Sequence, residues 1–265
     1  MADKVQINNK KYPAIKVHYD MIRNNQSTII SKLDRELGFY RIYFEKKIKG
    51  LEIIYDTPNN LLSSAGIVLS KQYEKGKFFF KVKKLSYLPT ELRKPSEKFY
   101  LLECLPNEAP KDYPLQLSTA INNAFSNVFT IDLVDVVKNT IPKYEIKIKG
   151  DLHILTSGLG MKGQIVFEKV SYKDMLTGKK VKRLGATVTL PGEPVFKKET
   201  AEVLDAIERK CKELLVYKET RFEIAERLLK PKPQPVNPDK KDIKNLKKLK
   251  NRRKNQEIEE LQEKL

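Results

Sequence analysis

Residues 55–84 read YDTPNNLLSSAGIVLSKQYEKGKFFFKVKK, and the rest of the chain is organised around this stretch. Asp56-Thr57-Pro58 opens a turn, and Pro58 suits the first position of a short helix, where a missing N–H costs nothing. Leu61, Leu62 and Ala65 give that helix an apolar side, and Gly66 is placed to end it. Residues 67–74 and 77–84 then read as the two strands of a hairpin that turns at Lys75-Gly76. Alternation on the second strand puts Lys77, Phe79, Lys81 and Lys83 on one face and Phe78, Phe80 and Val82 on the other. A lysine face is ordinarily solvated; lining the inside of a closed sheet, it would need anions.

Working outward, the whole chain has 265 residues, 40% of them hydrophobic, with 11 Phe and 12 Tyr, which is enough for a good core. Its net charge of +18 points to polyanionic partners, unless lysine is simply abundant. Cys104 and Cys211 are far apart and lack metal-ligand spacing, so neither a disulfide framework nor a cysteine zinc site is expected. His18 and His153 are too few for a histidine-rich centre. No secretory leader and no apolar run of membrane-spanning length is read, so a cytoplasmic setting is expected.

The 55–84 stretch resembles the CYTH family, the triphosphate tunnel fold of thiamine triphosphatases, class IV adenylyl cyclases and RNA triphosphatases. That family's signature runs Y-F-D-T-P, a short helix, G-I-x-L-R-x-R, a charged turn, and a strand ending in T-x-K. Tyr55-Asp56-Thr57-Pro58, Leu61, Gly66, Ile67 and Leu69 fall in place, and Lys83 falls on the terminal lysine. The resemblance implies an α+β fold: an antiparallel eight-stranded tunnel-like β-barrel with flanking helices and a long C-terminal helix.

The remaining segments fit that order. Ile15, Val17 and Tyr19 alternate with Lys16, His18 and Asp20 in a first strand. A helix capped by Ser27 or Thr28 follows, with Ile29, Ile30, Leu33 and Leu37 at helical spacing. Residues 39–44 and 51–55 read as a second hairpin around Lys49-Gly50. Beyond the central hairpin come a strand at 99–105, a helix over 114–138, and strands at 143–149, 163–173 and 180–190. From Pro194 an apolar stripe through Val203, Ile207, Cys211, Leu214, Phe222, Ala225 and Leu228 predicts one long helix on the outside of the barrel. Residues 1–230 are thus expected to form the barrel domain, 231–239 a Pro-rich linker, and 240–265 a basic, then acidic, helix-prone tail.

A tunnel enzyme holds triphosphate with basic side chains and uses carboxylates to carry a divalent metal, Mg or Mn, that activates water. The family's E-x-E-x-K strand is missing: either face of residues 15–20 lacks a paired carboxylate. The two arginines of G-I-x-L-R-x-R fall on Ser70 and Gln72, which cannot replace a bidentate phosphate contact. The anion-binding candidates are Lys81, Lys83, Lys147 and Lys149, each alternating with apolar residues on its strand. Glu168 is the metal candidate, Glu103 and Glu145 are further strand carboxylates, and the strand at 185–190 has no acid. Gly158–Gly163 lacks the G-K-S/T ending of a P-loop and reads as a turn.

The expectation is therefore a catalytically degenerate CYTH-like protein, a pseudoenzyme serving as a phosphate- or polyanion-binding or scaffold module, with polyphosphate or a nucleotide as ligand. The alternative is a metal-dependent triphosphatase acting on inorganic triphosphate or a nucleoside triphosphate through a rearranged acid site. A second alternative is nucleic-acid binding through Lys247, Lys248, Lys250, Arg252, Arg253 and Lys254 of the tail. A protein partner could engage the C-terminal helix.

Overall fold

In a computed structural model, which describes residues 6–7, 14–74, 76–85, 99–125, 132–217 and 219–229, one antiparallel sheet organises the chain. The chain divides into two units, Met1–Leu229 and Lys230–Leu265, and every described residue lies in the first. The tail cations from Lys247 to Lys254 lie outside the described residues.

The strands are β1 (Gln6–Ile7), β2 (Ile15–Met21), β3 (Tyr40–Asp56), β4 (Ile67–Glu74), β5 (Lys77–Lys84), β6 (Phe99–Cys104), β7 (Ile141–Ser157), β8 (Lys162–Asp174), β9 (Lys180–Leu190) and β10 (Leu214–Tyr217). Their order across the sheet is β1-β6-β5-β4-β3-β7-β8-β9-β2-β10. The helices are α1 (Gln26–Glu36), α2 (Leu61–Ser64), α3 (Pro114–Phe125), α4 (Leu133–Lys138), α5 (Lys197–Lys210) and α6 (Arg221–Leu229). None of the described helices is long and apolar enough to cross a membrane.

The turn expected at Asp56-Thr57-Pro58 has a clear physical basis. The buried Asp56 carboxylate accepts hydrogen bonds from the backbone N–H groups of Thr57, Leu62 and Ser63, at 2.8, 3.0 and 3.2 Å. Two of these satisfy amides that the first turn of α2 would otherwise leave unpaired. Pro58 sits in the turn ahead of the helix, not at its first position, because α2 begins only at Leu61. Gly66 and Gly76 both take positive φ, 74° and 84°, which ends the helix and turns the β4–β5 hairpin.

The sheet carries helices on two stretches of one face. Leu69, Phe80, Val82 and Leu102 pack under Leu117, Ile121, Val136 and Val137 of α3 and α4. Tyr19, Phe167, Ile165 and Val188 pack under Ile29 and Leu33 of α1 and Val203 and Ile207 of α5. On the opposite face Ile54, Val68, Ile146, Val170 and Tyr172 surround Phe222, Ile224 and Ala225 of α6. Tyr217 of β10 packs against the same cluster as Val68 of β4. These strands are six steps apart in the order, about 29 Å in a flat sheet, so the sheet curls around α6. The α6 face is therefore concave and the other convex.

Several expectations are corrected. The hydrogen-bonded sheet has ten strands and is open, with β1 and β10 at its edges, so the described strand pairing does not close an eight-stranded barrel. Residues 40–56 form one strand: Lys49-Gly50 is no turn, because both halves pair continuously with β7, Lys49 opposite Lys149 and Gly50 opposite Ile148. The helix expected over 114–138 is two helices, and Asp132 caps the second by accepting from Val134 N–H at 2.8 Å. The long C-terminal helix is also broken. Its stripe changes partners: Val203 and Ile207 face the convex core, Phe222 and Ala225 the concave one. Between them the strand-prone Leu214–Tyr217 segment pairs with β2. Thr220 then restarts the chain as α6 with a capping box, its N–H donating to Glu223 at 2.7 Å and its hydroxyl accepting from Glu223 N–H at 3.3 Å.

Candidate functional site

Strand register fixes which side chains share the concave face. Lys81 lies opposite Ser70 and Lys83 opposite Val68. Ser70 lies opposite Ile54, and Gln72 opposite Glu52. Through β7 the same face passes to Glu168 of β8, opposite Gly150 and Gly185. On β2, His18 lies opposite Thr187 and Asp20 opposite Gly185. The concave face thus gathers Lys16, Lys81, Lys83, His18, Glu52, Glu168, Asp20 and Arg183 at its strand positions. Glu52 is 7% exposed and Glu168 5%, values rare for carboxylates without partners.

Those partners come from the chain itself. Arg221, the first residue of α6, sets its Nη2 3.0 Å from Glu168 Oε2. Glu168 Oε1 also accepts from the Thr187 hydroxyl at 3.4 Å. Gln72 Nε2 donates to Glu52 Oε1 at 2.6 Å. Burial alone would push the Glu52 carboxyl up, but Lys83, Arg221, the Gln72 hydrogen bond and Lys81 outweigh it and hold it below the usual carboxylate range. Burial works against the Arg221 charge too, and Glu168 and Glu52 outweigh that, keeping the guanidinium firmly protonated.

His18 goes the other way. Burial, then Lys16, Arg221 and Lys83, lower its imidazole to about 3, so it is neutral near pH 7 and shares a hydrogen bond with the Thr187 hydroxyl at 3.0 Å. That Lys83 of β5 is felt at β2 is a second sign of the curl. Arg183 pairs with Asp20 and stacks 4.3 Å from the centre of the Tyr217 ring. Among the described residues, buried Arg183 Nη1 and Asp20 Oδ1 find no hydrogen-bond partner. Lys81 Nζ stands 3.9 Å from the centre of the Phe99 ring.

Of the residues expected from sequence, Lys81, Lys83 and Glu168 share this face. Lys147 and Lys149 do not: they alternate with Ile146 and Ile148, whose side chains fill the concave core, so both lysines stand exposed on the convex side. Lys147 there pairs with Glu145 at 2.9 Å. Glu103 pairs with Lys77 at 2.8 Å on the exposed β5–β6 ladder. Ser70 and Gln72, at the places of the family's arginines, do face the concave side. Gly158–Gly163 spans the β7–β8 turn, closed by Ser157 N–H donating to Met161 O at 3.1 Å.

Sequence reasoning missed Glu52, Arg183 and Arg221. Glu52 is a lone acid between Gly50 and Ile54 on alternate positions, a signal hidden by placing a turn at Lys49-Gly50. Arg221 was hidden inside the apolar stripe read as one helix.

The donor set does not fit a resident Mg or Mn. Among the described residues no group of three or more His, Cys, Asp or Glu side chains converges. The two buried acids are instead engaged by Arg221, Gln72 and Thr187. A hard divalent cation would need several oxygen ligands where these nitrogen donors stand.

No family model matches the chain, and no curated protein matches it. Solved structures similar to it include a candidate adenylyl cyclase from Hippeastrum, described by its dominant triphosphatase activity, at 12% identity and a TM-score of 0.49 over 83% of this chain and 98% of that one. A candidate adenylate cyclase from Bacillus halodurans gives 9% identity and a TM-score of 0.45, over 83% and 98%. One from Vibrio parahaemolyticus gives 12% and 0.38, over 81% and 98%.

Proposed function

We propose that this chain is a divergent, catalytically degenerate CYTH-like module that binds a polyphosphate or nucleoside triphosphate on its concave face without hydrolysing it. One observation carries the reading: Glu52 and Glu168 are buried and committed to the chain's own cations and donors. Around Glu52, Glu168 and Asp20 the face carries Lys16, Lys81, Lys83, Arg183 and Arg221. A polyanion is attracted to those cations, and a metal-activated water has no place among them. In this reading the curled sheet is the wall of a tunnel, and residues 240–265 are a separate appendage joined through 231–239.

The test is thermal unfolding of the full chain with inorganic triphosphate and ATP, alongside phosphate release with and without Mg²⁺ or Mn²⁺. The expected result is stabilisation by triphosphate, reduced in Lys81→Gln/Lys83→Gln, with no turnover. Metal-dependent turnover abolished by Glu168→Gln would overturn the reading. That outcome would favour the metal-dependent triphosphatase, whose support is that both buried acids lie within reach of the one Arg221.

A further inference from the structure

The convex side of the sheet carries a second charged feature, unrelated to the concave acids. Lys49 of β3, Lys149 of β7 and Lys169 of β8 lie directly opposite one another in three adjacent strands. All three are exposed, and among the described residues none of them enters an ion pair. The next row on the same face adds Lys147 of β7 and, two strands on, Lys182 of β9. The strip runs between the two helix-covered stretches, so no described helix shields it. Like charges directly opposite on neighbouring strands repel. The ordinary remedy is an alternating carboxylate, and the Lys49–Lys149–Lys169 row has none.

Farther along the same face, past Lys47 of β3 opposite Asp151 of β7, stands an aromatic. A register shift between Phe44 and Lys46 keeps Phe44 on the convex face, edge-on to the His153 ring at 5.7 Å, with 52% of its surface exposed. His153 in turn meets the Phe167 ring edge-on at 5.6 Å. Rows of cations about 4.8 Å apart beside an exposed ring combine a track for phosphates with a platform for a base. A duplex hides its base faces, and a membrane surface would want several apolar anchors instead of one.

We propose that the β3–β7–β8 strip on the convex face is a binding surface for single-stranded nucleic acid, held by Lys49, Lys149 and Lys169 through phosphates and by Phe44 through stacking. Recognition of this kind is tolerant of sequence and steeply dependent on salt.

The test uses the full chain and fluorescence anisotropy with labelled oligothymidylate and oligouridylate of about 16 nucleotides. To remove the tail's contribution, the background carries glutamine at Lys247, Lys248, Lys250, Arg252, Arg253 and Lys254. In that background the single strands are expected to bind, and Lys49→Gln/Lys149→Gln/Lys169→Gln to weaken binding by about tenfold or more. The same change should flatten the slope of log affinity against log salt by about 2, roughly 0.7 for each lost phosphate contact. Phe44→Leu should cost about fivefold for single strands. Unchanged affinity and slope in the lysine variant overturns the proposal. So does equal or tighter binding of a duplex, or binding of phosphatidylserine vesicles in place of the oligonucleotide. Thermal unfolding of each variant separates lost binding from lost folding.

Discussion

The two lysine-bearing faces of this sheet are built on opposite rules. On the concave face, cations are matched with acids brought from elsewhere in the chain: Lys83 acts on Glu52, Arg221 on Glu168, Arg183 on Asp20. On the convex strip, cation follows cation across three strands with no acid in the row. The difference follows from solvent. A buried charge without a partner costs several kcal/mol, so the concave face must be balanced nearly residue by residue. An exposed lysine is screened by water and salt, so a repelling row is tolerated at a cost of tenths of a kcal/mol. Matching Glu52, Glu168 and Asp20 is therefore a condition of folding, whereas the outer lysine row stands without any such requirement.

The sharpest way to break this comparison is Arg221→Ala. It leaves Glu168, whose side chain is only 3% exposed, without its ion partner, and should lower unfolding free energy in urea by about 3 kcal/mol. Adding Glu168→Gln should restore part of that loss, because a neutral amide beside Thr187 costs less than an orphaned carboxylate. Equal stability of Arg221→Ala and the parent would show that the concave pair is not matched for folding.

A pH series sharpens the comparison on a smaller scale. His18 is neutral when folded, with its imidazole lowered to about 3, whereas the unfolded chain protonates it near 6.5. The unfolded state then binds the extra proton between those values. Stability from this group is complete above about pH 6.5 and is lost as pH falls toward 3, by about 1 kcal/mol per pH unit. His18→Gln should remove that slope in urea titrations from pH 7 to pH 5. Glu52 adds its own loss only at lower pH, as its depressed carboxyl finally takes a proton. The smallest effect is expected outside: Lys149→Gln/Lys169→Gln should change unfolding free energy by less than about 0.5 kcal/mol, and in the stabilising direction.

What was legible in the sequence follows how local each determinant is. The α2 turn and the β4–β5 hairpin were readable because Asp56, Gly66 and Gly76 act on backbone within a few residues of themselves. That Lys81 and Lys83 share one face was readable because alternation is a local rule. The concave site was only half legible. Glu52 meets Lys83 through the β3–β4–β5 ladder, and Glu168 meets Arg221 only because the sheet curls around α6. No local pattern encodes that curl. Lys147 and Lys149 show the limit most clearly: the strand and its alternation were evident, but which face looked inward was decided by Ile146 and Ile148 packing on α6. The break between α5 and α6 was illegible for the same reason, since a stripe at helical spacing does not say that its two halves serve different cores.

The lateness of Arg221 has a consequence for how the chain is made. Glu168 is synthesised 53 residues before the guanidinium that balances it, and α6 is the last helix of its unit. A nascent chain that has emerged only through β9 holds two acids on a face that has neither its apolar lid nor Arg221. Such a chain has reason to stay open until the end arrives, and the sheet and α6 should then gain protection as one cooperative step. Pulse-labelling hydrogen exchange during refolding would show the amides of Ile146 and Val170 becoming protected together with those of Ile224 and Ala225, making the nine-residue α6 the latch of the whole sheet rather than an ornament on it.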